Sequence, residues 1–200
     1  MIGPLEIAAN VAVGVAILLA GRNNIHTWWT GILGCSLFGV LFYQTNLYAD
    51  VVLQVFFIVS SAVGWYQWKK GGKGDELPVT HASLATLLMI VPAGVAVTAG
   101  YGALLHFYTN AYAPFLDSAV LVFSIVAQFL MMQRRVENWP FWILVNTIAV
   151  PLYASRELYL TAVLYGCYWV NAIVSWIWWR RLARAQIAYT VPDITQAETS

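Results

Sequence analysis

The sequence predicts an all-α integral membrane protein with seven transmembrane helices in a 3+1+3 parallel repeat. Three observations carry this prediction. Apolar residues make up 60% of the chain and charged residues 10%, where typical soluble domains are about 25% charged. Apolar stretches long enough to cross a bilayer recur along the whole sequence. Residues 5–70 also align without a gap on residues 116–181, at an offset of 111. Trp28 falls on Trp139, Ile32-Leu33 on Ile143-Leu144, Trp68 on Trp179 and Lys69-Lys70 on Arg180-Arg181. A chain in lipid must satisfy its backbone hydrogen bonds internally, which the isolated helix does. A lipid-facing barrel needs alternating segments, and Ala119-Val120-Leu121-Val122 does not alternate.

The first span, at 5–21, has the short apolar look of a signal peptide. Its pairing with the fifth span (Leu5 with Leu116, Val15 with Val126, Leu19 with Leu130) predicts that it is retained. The second span, 27–43, holds Cys35 and the Gly39-Val40 pair, and the third, 48–68, holds Gln54, Ser60 and Ser61. Gly71 to Glu76 reads as a flexible linker. The fourth span, 82–103, has no counterpart in the repeat. Three spans per unit is an odd number, so a single extra span between the units returns both to the same orientation. The approximate two-fold axis then lies along the membrane normal. The fifth, sixth and seventh spans run at 115–133, 138–154 and 159–179. The organisation is therefore a first repeat at 1–70, a linker with connecting helix at 71–114, a second repeat at 115–181 and a polar cytoplasmic tail at 182–200.

Charge placement orients the chain. With the N-terminus outside, the cytoplasmic side holds Arg22, Lys69, Lys70, Lys73, Arg134, Arg135, Arg180, Arg181 and Arg184, and the outer side holds Arg156. That bias fits the positive-inside rule and predicts a multi-pass protein of the cell (inner) membrane with its C-terminus in the cytoplasm. A net charge of +1 without a basic, aromatic-rich soluble segment gives no sign of nucleic-acid binding. Cys35 and Cys167 lie inside spans without metal-ligand spacing and read as small packing residues, so neither a metal site nor a cofactor is expected.

Asp50, Asp117, Glu137 and Glu157 all fall near span ends. No carboxylate or histidine relay of the kind proton-coupled pumps need lies at depth, which predicts movement down a gradient. Neutral amides are present at depth, mostly in the second unit. Gln128 pairs by repeat with Ile17, Asn146 with Cys35 and Asn171 with Ser60; the first unit offers Gln54. A bound solute with distinct ends accounts for such asymmetry, and hydrogen bonding between helices is the alternative.

Ten tryptophans and eleven tyrosines form the second signal. Trp28, Trp29, Trp176, Trp178 and Trp179 read as an interfacial belt. Trp139 and Trp142 open the sixth span as Asn138-Trp139-Pro140-Phe141-Trp142. Asn138 is placed to cap the helix and Pro140 suits its first turn. Trp139, Trp142 and Asn146 share one helical face, as do Tyr168, Asn171 and Ser175, and Ser124 with Gln128. Indoles beside amides suit a flat polar ring, and a cationic ring gains cation–π attraction in a dry site. Pro151 is a bend or hinge candidate.

At these residues the chain resembles the PnuC-type vitamin transporters, whose best-known members take up nicotinamide riboside. The likeness is sharpest at Gln54 to Trp68 and at Val136-Glu137-Asn138-Trp139, Trp142 and Asn146, which match the family's W-x-x-W signature. The resemblance implies a full-length SWEET-like fold, facilitated diffusion with trapping by intracellular phosphorylation, and a homotrimer. It implies that Trp139, Trp142 and Asn146 contact a small cationic or aromatic vitamin. Facing and polarity add Gln54, Gln128, Tyr168 and Asn171. Ser61 stands where riboside carriers are expected to have asparagine, which leaves thiamine, riboflavin or a deoxynucleoside as alternatives. An intramembrane enzyme built on Gly34-Cys35-Ser36 lacks a base, since His26, His81 and His106 sit at or beyond span ends. A retinal-type receptor lacks its lysine in the last span. A purely structural or signalling membrane protein is the remaining alternative.

Overall fold

The computed structural model describes residues 4–44, 48–71, 77–110, 112–157 and 159–190. Among these, the chain forms α1 (Pro4–Gly21), α2 (His26–Gln44), α3 (Tyr48–Lys70), α4 (Leu84–Tyr108), α5 (Pro114–Met132), α6 (Asn138–Ser155) and α7 (Tyr159–Thr190). The expected glycine-rich linker at 72–76 lies outside the described residues. By length and composition alone, α1, α4 and α5 are apolar enough to cross a membrane. The other four are at least as long as α1, but tryptophan, tyrosine, asparagine and glutamine dilute their hydropathy.

Two helices outrun their predicted ends. α4 passes Pro92 and continues to Tyr108. α7 continues to Thr190 instead of ending near 179, because Arg, Leu, Ala and Gln after Trp179 are polar yet strong helix formers. Its 32 residues span about 48 Å at 1.5 Å per residue, well beyond the roughly 30 Å hydrocarbon core. The expected tail is therefore helical to Thr190. At α6, Asn138 does not cap. The capping position is Glu137 without a side-chain bond, and the Asn138 amide turns back to donate to Arg135 O at 2.6 Å.

The helices close a ring. α1 packs on α2, α2 on α3, α3 on α5, α5 on α6, α6 on α7 and α7 on α1; among the described residues α4 packs on α5 alone. Small residues permit the close approaches, as membrane interfaces require. A Cβ on Gly34 would lie 2.6 Å from Val13 Cγ2, one on Gly64 2.5 Å from the Trp28 ring, and one on Gly102 2.5 Å from Phe115. The outward face of α4 is exposed and apolar, with Leu84, Leu88, Met89 and Val95.

α1, α3 and α5 finish at one end of the ring, where α7 passes at Trp179 on its way to Thr190. Trp68 Nε1 donates to Met131 O at 3.0 Å, and Trp179 Nε1 donates to Gly21 O at 3.2 Å. This end also carries most of the lysine and arginine, and we call it the basic end. Its core is aromatic: Trp28, Trp68, Trp139 and Trp179 are 1%, 0%, 2% and 0% exposed. Trp28 and Trp179 are thus core residues and not part of an interfacial belt, whereas Trp29 and Trp178 are exposed. Trp176 is half-buried, with the Arg180 guanidinium 5.3 Å from its ring centroid.

The segment 77–83 crosses this end as a strap. Leu77 N donates to Trp68 O, Thr80 exchanges backbone bonds with Arg134 O and Val136 N, and Val79 is buried among the indoles. Glu137 holds the strap's far end through His81 Nδ1 at 2.7 Å and Ala82 N at 2.6 Å.

Gly64→Ala should lower detergent-solubilised stability by about 1–3 kcal/mol through overpacking against Trp28. Gly100→Ala, which meets no atom within 4 Å, should leave it within about 0.5 kcal/mol. Thermal unfolding followed by fluorescence-detected size exclusion separates the two.

Candidate solute-binding site

Polar side chains interrupt the apolar helices about two turns below the four indoles. On α5, Gln128 is buried and its Nε2 donates to Ser60 Oγ on α3 at 3.2 Å; Ser60 Oγ itself donates to Phe57 O. On α7, Asn171 Nδ2 donates to Ile17 O on α1 at 3.3 Å. Ser175 donates to Asn171 O on its own helix at 2.6 Å. Ser61 is buried beside Gly31. The amides of Gln128 and Asn171 thus lie at the two seams where one half of the ring meets the other.

α6 carries the remaining candidates. Trp139 packs edge-on against Trp179, with ring centroids 5.5 Å apart. Trp142 is half-buried and packs against both hydrophobic clusters of the molecule. The indole nitrogens of Trp28, Trp139 and Trp142 are buried without a hydrogen-bond partner. Such donors carry a desolvation cost until an acceptor arrives. Asn146 is 4% exposed and lines an open, mostly apolar cavity of about 250 Å³ between α6 and α7, with Thr147, Val150, Pro151, Gly166 and Trp169. Trp169 Nε1 donates to Thr147 Oγ1 across its mouth at 3.0 Å.

Farther from the basic end, Tyr153, Tyr165 and Tyr168 form a contact chain, with centroids 4.9 Å and 5.7 Å apart. Gly14 on α1 is within 4.0 Å of the Tyr168 hydroxyl, measured from an ideal Cβ. Gln54 is half-buried and packs at Gly39 of α2.

The seven sequence candidates therefore divide. Trp139, Trp142 and Asn146 follow one another down α6, Gln128 and Asn171 bind across the seams, and Gln54 and Tyr168 lie toward the opposite end. The cavity takes in Asn146 and none of the other six. Sequence reasoning did not single out Arg134. It is 5% exposed, its guanidinium lies 4.4 Å from the Trp68 ring centroid, and its Nε donates to Asn23 Oδ1 at 2.9 Å. The available signal was the repeat itself, since 23 and 134 differ by 111.

The chain matches the nicotinamide mononucleotide transporter family over residues 3–181. The chain belongs to this family. It is similar to the nicotinamide riboside transporter PnuC of Escherichia coli (strain K12), 29% identical over 188 residues that cover 80% of this chain and 78% of that protein. It is also similar to the riboflavin/roseoflavin transporter RibM of Streptomyces davaonensis, at 26% identity over 90% of this chain and 86% of that one. Among solved structures, the crystal structure of the vitamin B3 transporter PnuC matches with a TM-score of 0.70 and 26% identity, covering 90% of this chain and 82% of that chain. This family member is a multi-pass membrane transport protein, and the relatives named here are transporters rather than enzymes.

Ser60→Ala and Gln128→Leu test the seam. Each single change should cost up to about 1.5 kcal/mol of stability, and the double mutant should be less than additive by about 0.6–1 kcal/mol, the usual worth of an interhelical bond in membranes. Additive losses in thermal unfolding would show that the two side chains are not coupled.

Proposed function

We propose that this protein carries nicotinamide riboside across the cell (inner) membrane by facilitated diffusion. The observation that supports this most is the chemistry of the interior. Buried amides lie about two turns inside the indoles of the basic end. The Asp, Glu and Lys of α1–α6 fall within about a turn of a helix end, the arginines of α7 follow Trp179, and the buried Arg134 belongs to the α5–α6 loop. A phosphate-bearing mononucleotide needs a buried cation or its equivalent. A riboside does not: its cationic ring is served by indole faces and its hydroxyls by amides. The similarity to the riboside transporter of Escherichia coli favours the same solute.

The finer architecture is part of this reading. The helices form two triplets, α1–α3 and α5–α7, in a 3+1+3 parallel repeat of the SWEET type. Exchanging each residue i with i+111 maps every packed pair of the ring onto another packed pair. It also maps the Gln128–Ser60 bond onto the Ile17–Asn171 bond. With the N-terminus outside, the basic end is cytoplasmic. In this reading the passage is sealed inside and looser outside, three copies associate as a homotrimer, and intracellular phosphorylation traps the solute. Trp139, Trp142 and Asn146 form the core of the binding site, with Gln54, Gln128, Tyr168 and Asn171 around it.

A second ring vitamin is the competing solute. The riboflavin/roseoflavin relative and the small hydroxyl at Ser61 favour this reading, with thiamine the nearest cationic rival. Purified protein in liposomes, offered labelled riboside, thiamine and riboflavin without an ion gradient, separates these cases. Riboside should equilibrate; a requirement for a proton or sodium gradient would end the uniport reading, and flux of another vitamin alone would reassign the solute. Trp142→Phe removes a donor that has no protein partner, and Asn146→Leu removes the amide at similar volume. Each should weaken riboside binding about tenfold, the worth of roughly 1.4 kcal/mol, with little change in melting temperature. Isothermal titration calorimetry reads both.

A further inference from the structure

Asn23 and Arg134 occupy equivalent positions of the repeat, 111 residues apart, and they touch. Both adopt positive φ, 53° and 56°. A residue in contact with its own repeat mate lies on the axis that relates the two units. One layer deeper the same is true of Trp68 and Trp179, whose ring centroids are 5.7 Å apart. Trp28 packs on Trp68 at 5.2 Å, and its mate Trp139 packs on Trp179 at 5.5 Å. Four indoles therefore form a plug centred on the axis, at the one end of the ring where the largest side chains are buried.

The pair above the plug has lost its symmetry. Arg134 lies over the Trp68 ring, donates to Asn23 Oδ1, and donates from Nη1 to Leu77 O of the strap. It joins the second unit to the loop of the first, to the last turn of α3 and to the strap leaving it. Asn23, its counterpart, is a shorter neutral side chain.

We propose that the four indoles are the closed gate at the basic end and that Arg134 is the latch holding it, by bonding across the axis to Asn23 and to the strap. Arg134 touches no solute and acts through the indoles. Opening this end requires the α1–α2 and α5–α6 loops to part, which breaks the Arg134–Asn23 bond and uncovers Trp68. The inference rests on the transport reading for its flux consequence and stands apart from it for its gate consequence.

The test uses the full-length protein in liposomes, with Cys35→Ala and Cys167→Ala as background and Ala20→Cys as reporter. Ala20 is buried among the indoles. Modification by an impermeant maleimide reads gate opening without any solute. Arg134→Asn gives both axial positions the same residue, and asparagine tolerates positive φ. It should raise the labelling rate about tenfold, since charge-assisted bonds are the stronger kind. Asn23→Asp puts a carboxylate where Arg134 Nε now meets an amide oxygen and should lower labelling and riboside flux together, while riboside binding measured by calorimetry stays near wild type. Arg134→Lys, which keeps the charge, should restore part of the slow labelling. Labelling that ignores both Asn23→Asp and Arg134→Asn would overturn the latch, whatever the solute proves to be. Variants that show the labelling differences, in a protein that moves no riboside, would instead overturn the transport reading and leave the gate standing. Should Arg134→Asn fail to fold, Asn23→Asp alone decides the question.

Discussion

Helices in lipid gain nothing by hiding apolar surface from one another, because the hydrocarbon around them is equally apolar. A ring of six must therefore be held at its weakest seams by something other than burial. Here those seams are α3 with α5 and α7 with α1, which join α1–α3 to α5–α7. Both are fastened in the same way: an indole of one helix donates to a backbone carbonyl at or near the end of the next, Trp68 to Met131 and Trp179 to Gly21. The two indoles then meet each other. Remove that junction and the seams keep the Gln128–Ser60 and Asn171–Ile17 bonds but lose their largest buried contact.

The two seams use sequence positions that match at an offset of 111, with different chemistry at each. Gln128 bonds to Ser60 at one seam and Asn171 bonds to Ile17 O at the other. The same two sequence positions are used, 17 with 171 and 128 with 60. At one seam the donor is the long amide of α5, and at the other it is the amide of α7. The two seams therefore differ chemically, which a solute with a ring at one end and a sugar at the other can use.

Much of the fold was legible because a repeat reports on itself. Spans too short or too aromatic to stand alone were supported by their mates, and the ends of α1, α3, α5 and α6 fell within a few residues of expectation. What escaped was whatever depends on neighbours. Trp28 and Trp179 lie near span ends, where a belt indole and a buried plug have the same sequence position; packing on Gly64 and Gly21 O distinguishes them. The end of α7 was misjudged because polarity marks where a span leaves lipid, whereas helix propensity decides where the helix stops. Asn138 had the sequence of a cap, but the strap engages Glu137 and the amide turns to Arg135 O. Of the site, the α6 face was readable from helical spacing alone. The bonds made by Gln128 and Asn171 were not, since an amide on a helix points to a seam or to a cavity with identical spacing.

The distribution of bulk along the ring bears on how such a gate can open at all. At the basic end four tryptophans, Val79 and Val136 are buried; at the other end, among the described residues, the buried ones include Ala9, Ser118, Leu152 and Ala162 and no tryptophan. A plug of that size held by burial alone would resist opening, because exposing an indole to water is costly. The cation above it changes the balance. Among its contacts, Arg134 donates to the Asn23 amide oxygen and the Leu77 carbonyl and lies over the Trp68 ring. These contacts are given up together when the two loops part, so opening costs the bonds and the ring contact at once, and the guanidinium must recover them from water. A latch of this kind biases the resting state of the gate without adding to the bulk of the plug beneath it.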